Sequence, residues 1–292
     1  LGFFLRKRKM SWMIWGVMTL GFLLLVIPNI MMEMKGNPII QEMGVDISGG
    51  NMEGKEVRFG SAASAYWSIV TTVISTGSVN SMHDSYMPLS GMNMMLGMMT
   101  NTFYGGVGVG VLNFFVFIIL AVFISGLMVG RTPEFLGKKV GAREMKIAMI
   151  VALVHPFLIL IGTALSAAMP LLTLDTLNNP GFHGFSEMLY EFTSASANNG
   201  SGFEGLGDNT PWWNISTGFV LILSRFIPII GPVAIAGSLS AKKYIPDSAG
   251  TLRTDSPTFG VMVFVVIAII AALSFFPALS LGPIADYFTM IH

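Results

Sequence analysis

Apolar runs of two lengths alternate along this sequence, and that alternation limits the fold more than any other feature. Trp12–Met32, Val111–Val129, Ile147–Met169, Trp212–Leu239 and Phe259–Leu281 are long, near the 20 or so residues that a helix needs to cross a bilayer core. Ser61–Ile74 and Phe185–Ala197 are too short to cross and fit re-entrant half-helices. Only 11% of the residues are charged and 53% are hydrophobic, against roughly 25% charged in soluble domains. The mean hydropathy is +0.69. In lipid every backbone polar group has to be satisfied within the protein. The sequence therefore predicts an all-α polytopic membrane protein.

Several function classes fall away. Net charge is zero, so no strong field attracts nucleic acid. Cysteine is absent, which removes disulfides and cysteine-based zinc sites. The 22 methionines are pliable packers of irregular cores. No phosphate-cradling loop or paired metal-ligand motif is present, and neither is the Asp-Lys-Thr-Gly-Thr of phosphorylated pumps. The run after Arg6-Lys7-Arg8-Lys9 is too long for a signal peptide and lacks a cleavage-like end. The chain starts at Leu1 without an initiator methionine, as expected of part of a longer protein.

Basic residues set the orientation. Arg6–Lys9, then Arg131, Lys138, Lys139, Arg143 and Lys146, then Lys242, Lys243 and Arg253 mark one side, expected to be cytoplasmic by the positive-inside rule. Lys35, Lys55 and Arg58 fall on the other side, in a polar loop over Glu33–Phe59, and Arg225 falls inside a span. Leu1 is then cytoplasmic and His292 outside.

Each half-helix runs into a narrow, glycine-centred loop. Val70–Asn80 reads Val-Thr-Thr-Val-Ile-Ser-Thr-Gly-Ser-Val-Asn, and Ala195–Phe203 reads Ala-Ser-Ala-Asn-Asn-Gly-Ser-Gly-Phe. Ion filters use backbone carbonyls to replace a hydration shell, and aiming them at one axis needs φ/ψ values that glycine adopts freely. The C-terminal, negative end of a half-helix dipole would favour a cation there. The alternative is a pair of ordinary Gly/Asn/Ser turns. An offset of 123 lays Gly77 on Gly200, Phe59 on Phe182, Pro88 on Pro211, Gly105 on Pro228 and Gly108 on Gly231. Both units read as span, half-helix, filter-like loop and broken span. The break falls at Tyr104–Gly110 in the first unit and at Pro228 with Gly231-Pro232 in the second. A short outer loop is the alternative at Tyr104–Gly110.

The boundaries follow: a first membrane–pore–membrane unit over 10–130 with its filter at 75–80, and a cytoplasmic linker over 131–146. A second unit spans 147–240 with its filter at 198–203. A cytoplasmic loop over 241–256 and a final span over 257–282 complete the chain. Arg225 is costly within a span and is expected to face the interior or a watery path. It either tunes cation passage or pairs with a carboxylate or with carbonyls freed at the break. His155 reads as a hydrogen-bonded packing residue. His83 and Asp84 follow the first filter-like loop near its outer mouth; they could attract cations there, but read as a solvated loop. Gly200-Ser201-Gly202 raises an intramembrane serine hydrolase, but His155 stands in no clear relation to Ser201.

Asn51–Phe59, Met82–Ser85, Gly105–Gly108, Gly130–Lys139, Asn179–Glu187, Ala197–Ser201, Ala234–Leu239 and Leu279–Pro283 closely resemble the potassium-binding A subunits of the Kdp potassium-transporting ATPases. These belong to the superfamily of potassium transporters. The resemblance implies four membrane–pore–membrane units around one filter, of which this chain matches the third, the fourth and the final span. It implies a K⁺ filter at Ser75, Thr76, Gly77, Asn198, Asn199 and Gly200. Many members have cysteine where Thr76 stands. It also implies an ion path or gate at Gly105, Gly106, Gly108 and Arg225. The chain itself would not be an enzyme. The partners implied are a P-type ATPase catalytic subunit (KdpB-like) that uses ATP, a single-span subunit (KdpC-like) and a small accessory peptide (KdpF-like). No organic cofactor is expected, and the place is a bacterial or archaeal inner membrane. A stand-alone K⁺ channel or an ion-gradient-driven transporter of the same fold is the alternative.

Overall fold

Residues 2–130, 132–246 and 253–291 are described by a computed structural model. The expectations on Leu1, Arg131, residues 247–252 and His292 lie outside the described residues. The first unit holds α1 (Arg8–Lys35), α2 (Gly60–Val73), α3 (Pro88–Thr100) and α4 (Val109–Val129). The second holds α5 (Ala142–Ala168), α6 (Phe182–Ala197) and α7 (Pro211–Ser240). After α8 (Pro257–Leu279), a π-turn over Ser280–Ile284 leads into α9 (Ala285–Ile291). Among the described residues, five helical stretches are long and apolar enough to cross a membrane. The protein is an all-α polytopic membrane protein.

The units are organised alike. In the first, α2 is held between α1 and α3; in the second, α6 is held between α5 and α7. Pro88 and Pro211 each sit in the first turn of a returning helix, where a missing N–H costs nothing. A polar side chain beside a proline of the outer helix ties each half-helix. Asn29, after Pro28, donates to Ala65 O at 2.9 Å, and His155, before Pro156, meets Ser196 Oγ at 2.7 Å. Helix α8 packs against α1, α3 and α4 through buried Val263 and Ile267.

The first returning span is interrupted as its glycines predict. Asn101 (φ 43°), Tyr104 (φ 69°), Gly105 (φ 59°) and Gly108 (φ 82°) are left-handed, so the helix cannot continue. The second span differs from expectation: α7 runs unbroken through Pro228, Gly231 and Pro232. Proline already has the φ of a helix and deletes only one N–H, which neighbours compensate in membrane helices. No described residue between 224 and 232 is left-handed.

Between the units, β1 (Glu134–Phe135) and β2 (Lys138–Lys139) form a small antiparallel hairpin. Lys242 ties it to the end of α7, donating to Lys139 O at 2.9 Å and to the buried Glu144 carboxylate at 2.6 Å.

Candidate functional site

The two filter-like loops share one backbone design. Ser75 (φ 52°) and Gly77 (φ 74°) are left-handed in the first, Asn198 (φ 55°) and Gly200 (φ 101°) in the second. These positions pair at the offset of 123. Left-handed residues in alternate places turn the carbonyls between them, a strained arrangement that persists only when braced.

The braces repeat at the same offset. Thr76 N donates to Thr71 O at 3.1 Å, as Asn199 N does to Ser194 O at 2.9 Å. Ser75 Oγ donates to Asn101 Oδ1 at 3.2 Å, as Asn198 Nδ2 does to Ser224 Oγ at 3.0 Å. Trp67 Nε1 donates to Ser78 O at 2.9 Å, and Tyr190 OH lies 2.8 Å from Ser201 Oγ. Thr71, Ser194, Asn101, Ser224, Trp67 and Tyr190 escaped the sequence reading. The offset that aligned the glycines aligns them too.

One chain of hydrogen bonds joins the units. His83 Nδ1 lies 2.9 Å from Tyr190 OH. Ser201 Oγ donates to Asn199 Oδ1 at 2.6 Å, and Asn199 Nδ2 donates to Thr71 O at 2.7 Å. Since Ser201 gives its proton to Asn199, Tyr190 donates to Ser201 and His83 Nδ1–H donates to Tyr190. That direction assigns the tautomer, leaving Nε2 as a bare acceptor, the atom of His83 without a partner among the described residues. Burial, with the charge of Lys55 added, pushes the His83 pKa down to about 4. His83 and Asp84 are therefore not a solvated loop: they are 0% and 6% exposed, because α6 of the second unit covers them.

Gly77 lies where the loops meet. A Cβ there would stand 2.3 Å from Asn199 O. Below the first loop, Gly105 N donates to Val73 O at 3.1 Å, and a Cβ on Gly106 would come within 3.6 Å of Ser75 Cβ. Gly108 faces open space. Arg225 reaches neither a carboxylate nor a freed carbonyl among the described residues; its Nε donates to Asn198 Oδ1 at 2.6 Å. The structure thus brings Arg225 to the second loop and Gly105 and Gly106 to the first. A cavity of about 50 Å³ is lined by His155, Ser196 and the loop-bracing Asn101 and Ser224 among others and has room for water. His155 bonds Ser196 and lies 3.1 Å from Met98 O, whereas Ser201 bonds Tyr190 and Asn199. No Ser–His pair for hydrolysis forms between them.

The polar loop after α1 is anchored by buried charges. Glu33 and Lys55 pair at 2.9 Å with both side chains fully buried. Asn51 Nδ2 and Met87 N each donate to Glu33 at 2.9 Å, and Lys55 Nζ sits 3.9 Å above the Tyr86 ring. Burial pushes the Lys55 pKa down, and the Glu33 charge opposes that shift.

The family model described as potassium-transporting ATPase A subunit matches residues 1–288. The potassium-transporting ATPase potassium-binding subunit of Flavobacterium psychrophilum is 68% identical, over 99% of this chain and 52% of the relative. That of Parabacteroides distasonis is 64% identical over 99% and 52%, and that of Geobacillus kaustophilus 48% over 99% and 51%. The chain spans about half the length of the curated relatives it matches.

Proposed function

This chain belongs to the family of potassium-transporting ATPase A subunits, and from that premise we propose that it is the K⁺-binding, channel-like part of an ATP-driven K⁺ importer. The observation that carries the reading is the pair of loops with left-handed residues at matching positions, each at the C-terminal end of a half-helix. Carbonyls of Ser75, Thr76, Gly77, Asn198, Asn199 and Gly200 take the place of K⁺ hydration, and the two helix dipoles favour the cation. Gly105, Gly106, Gly108 and Arg225 line the path below. K⁺ is cargo, and ATP is hydrolysed on a separate P-type subunit. A single-span subunit and a small accessory peptide complete the assembly in a bacterial or archaeal inner membrane. The units are 10–130 and 147–240, with the 131–146 and 241–256 segments cytoplasmic, 257–282 the last span and the C-terminus outside.

The test is Rb⁺ and K⁺ uptake by the full-length protein with its ATPase partner. Gly200→Asp should weaken K⁺ affinity tenfold or more and blur K⁺ against Rb⁺. Arg225→Gln should change transport while K⁺ binding persists. Unchanged affinity and selectivity in folded Gly200→Asp protein would sink the filter assignment. Uptake that persists without the ATPase would favour a stand-alone channel or a gradient-driven transporter. In the same vesicles, a cysteine placed beside Lys138 should react with an impermeant reagent only from the cytoplasmic face.

A further inference from the structure

Outside the filter-like loops, three segments converge on one cluster. Asp84 comes from the 3₁₀ turn His83–Ser85, His183 and Glu187 from the first turns of α6, and Asp286 from α9. Asp84, His183 and Glu187 each offer a ligand atom within 4.8 Å of the others. Asp84 Oδ2 and Glu187 Oε1 accept from the same amide, Asn179 Nδ2, at 3.2 and 3.3 Å. His183 places Nε2 2.9 Å from Asp84 Oδ1 and Nδ1 3.0 Å from Asp286 Oδ2. The one cation that pairs with these carboxylates among the described residues is His183.

An imidazolium at His183 satisfies Asp84 and Asp286 but leaves a remainder. Glu187 is fully buried, and its Oε2 has no hydrogen-bond partner among the described residues. A buried carboxylate oxygen without a partner is costly. We propose that Asp84, His183 and Glu187 bind a divalent transition-metal cation of the zinc class. One imidazole with two carboxylates is a donor set such ions take, whereas K⁺ and other hard cations prefer oxygen alone. Asp286 occupies the place of the carboxylate that commonly holds the far nitrogen of a metal-bound histidine. It accepts from Nδ1–H and leaves the Nε2 lone pair for the ion. The ion displaces the proton between His183 and Asp84 and sets a positive charge beside the buried Glu187 carboxylate. It thereby staples the turn after the first loop to the half-helix of the second unit. The sequence showed no metal motif because Asp84 lies about a hundred positions before His183 and Glu187 and meets them only in the fold.

The test uses the full-length protein purified in detergent in K⁺-free buffer, with a tag that contains no histidine, titrated with Zn²⁺ against a chelator of known affinity. One Zn²⁺ per chain is expected, with a higher melting temperature that the chelator reverses. Binding should be lost in His183→Ala, strongly weakened in the ligand variant Glu187→Gln, and weakened about tenfold or more in Asp286→Asn, as outer partners of metal ligands typically show. Absence of stoichiometric binding by the unaltered protein overturns the proposal, and so does full binding by folded His183→Ala and Glu187→Gln. If the variants do not fold, anomalous scattering at the zinc edge from the unaltered protein decides. Density among Asp84, His183 and Glu187 supports the site, and density elsewhere overturns it.

Discussion

Tyr190 is the side chain whose hydroxyl links His83 of the first unit to Ser201 of the second loop, in the chain that runs on to Thr71. Tyr190→Phe keeps the ring stacked on Phe203, whose centroid is 4.3 Å away, and removes only the link. A buried Ser201 and a buried His83 N–H then lose a partner, at about 1–3 kcal/mol for each group left unsatisfied. The variant should melt at lower temperature and discriminate K⁺ from Na⁺ less well. Trp67→Phe removes the equivalent brace, but that bond runs only to Ser78 O within the same unit and links nothing across the units, so its effect should be smaller. Thermal melting and ion competition on the two variants check the order; equal effects would mean that the chain across the units adds nothing. The contrast also marks what the sequence made legible. The glycines announced the loops because left-handed backbone favours glycine. His83 did not announce itself, since the partner that buries it is 107 positions away and local polarity pointed to solvent.

Among the elements, the half-helices were legible and one of the two breaks was not. Both half-helices are apolar runs too short to cross, each followed by a glycine-centred turn, and both form at nearly the expected bounds. The second break failed because proline and glycine letters were given the weight of a backbone reversal. A helix stops where residues turn left-handed, as at Asn101–Gly108; a proline alone costs it one hydrogen bond. Substitution separates the two cases. Gly105→Ala meets Gly110 Cα at 2.5 Å and carries φ 59°, so it should cost roughly 1–3 kcal/mol and depress transport. Pro228→Ala restores an N–H donor within an unbroken helix and should leave stability and transport near normal. Melting temperature and Rb⁺ uptake report both. A loss of transport in stable Pro228→Ala protein would show that the proline does more than pass through the helix.

At the scale of the molecule, the two units meet at one joint and leave the equivalent positions beyond it open. Where they meet, contacts are complete: Gly77 packs on Asn199 O, and the Asn199 amide reaches Thr71 O of the neighbouring half-helix. At the outer ends the equivalent positions are open. A Cβ on Gly200 would meet nothing within 4 Å. Thr76, which matches Asn199, is exposed and its hydroxyl bonds no half-helix among the described residues. One joint of a ring is made, and the next is unmade on both sides. K⁺ filters surround the ion with carbonyls from four strands, and two strands leave it under-coordinated, so leaving water would not be offset. Polar backbone at the open ends would also face lipid, which membrane burial does not tolerate. These 292 residues expressed alone should therefore bind Rb⁺ without selectivity or not at all. Co-expression with the other half of the length found in the relatives should restore binding. Two copies could instead close the ring by two-fold symmetry, as oligomers often do. Rb⁺ binding measured together with oligomeric mass separates these outcomes. Selective binding by a dimer would favour pairing of copies, and selective binding by a monomer would refute the need for four strands.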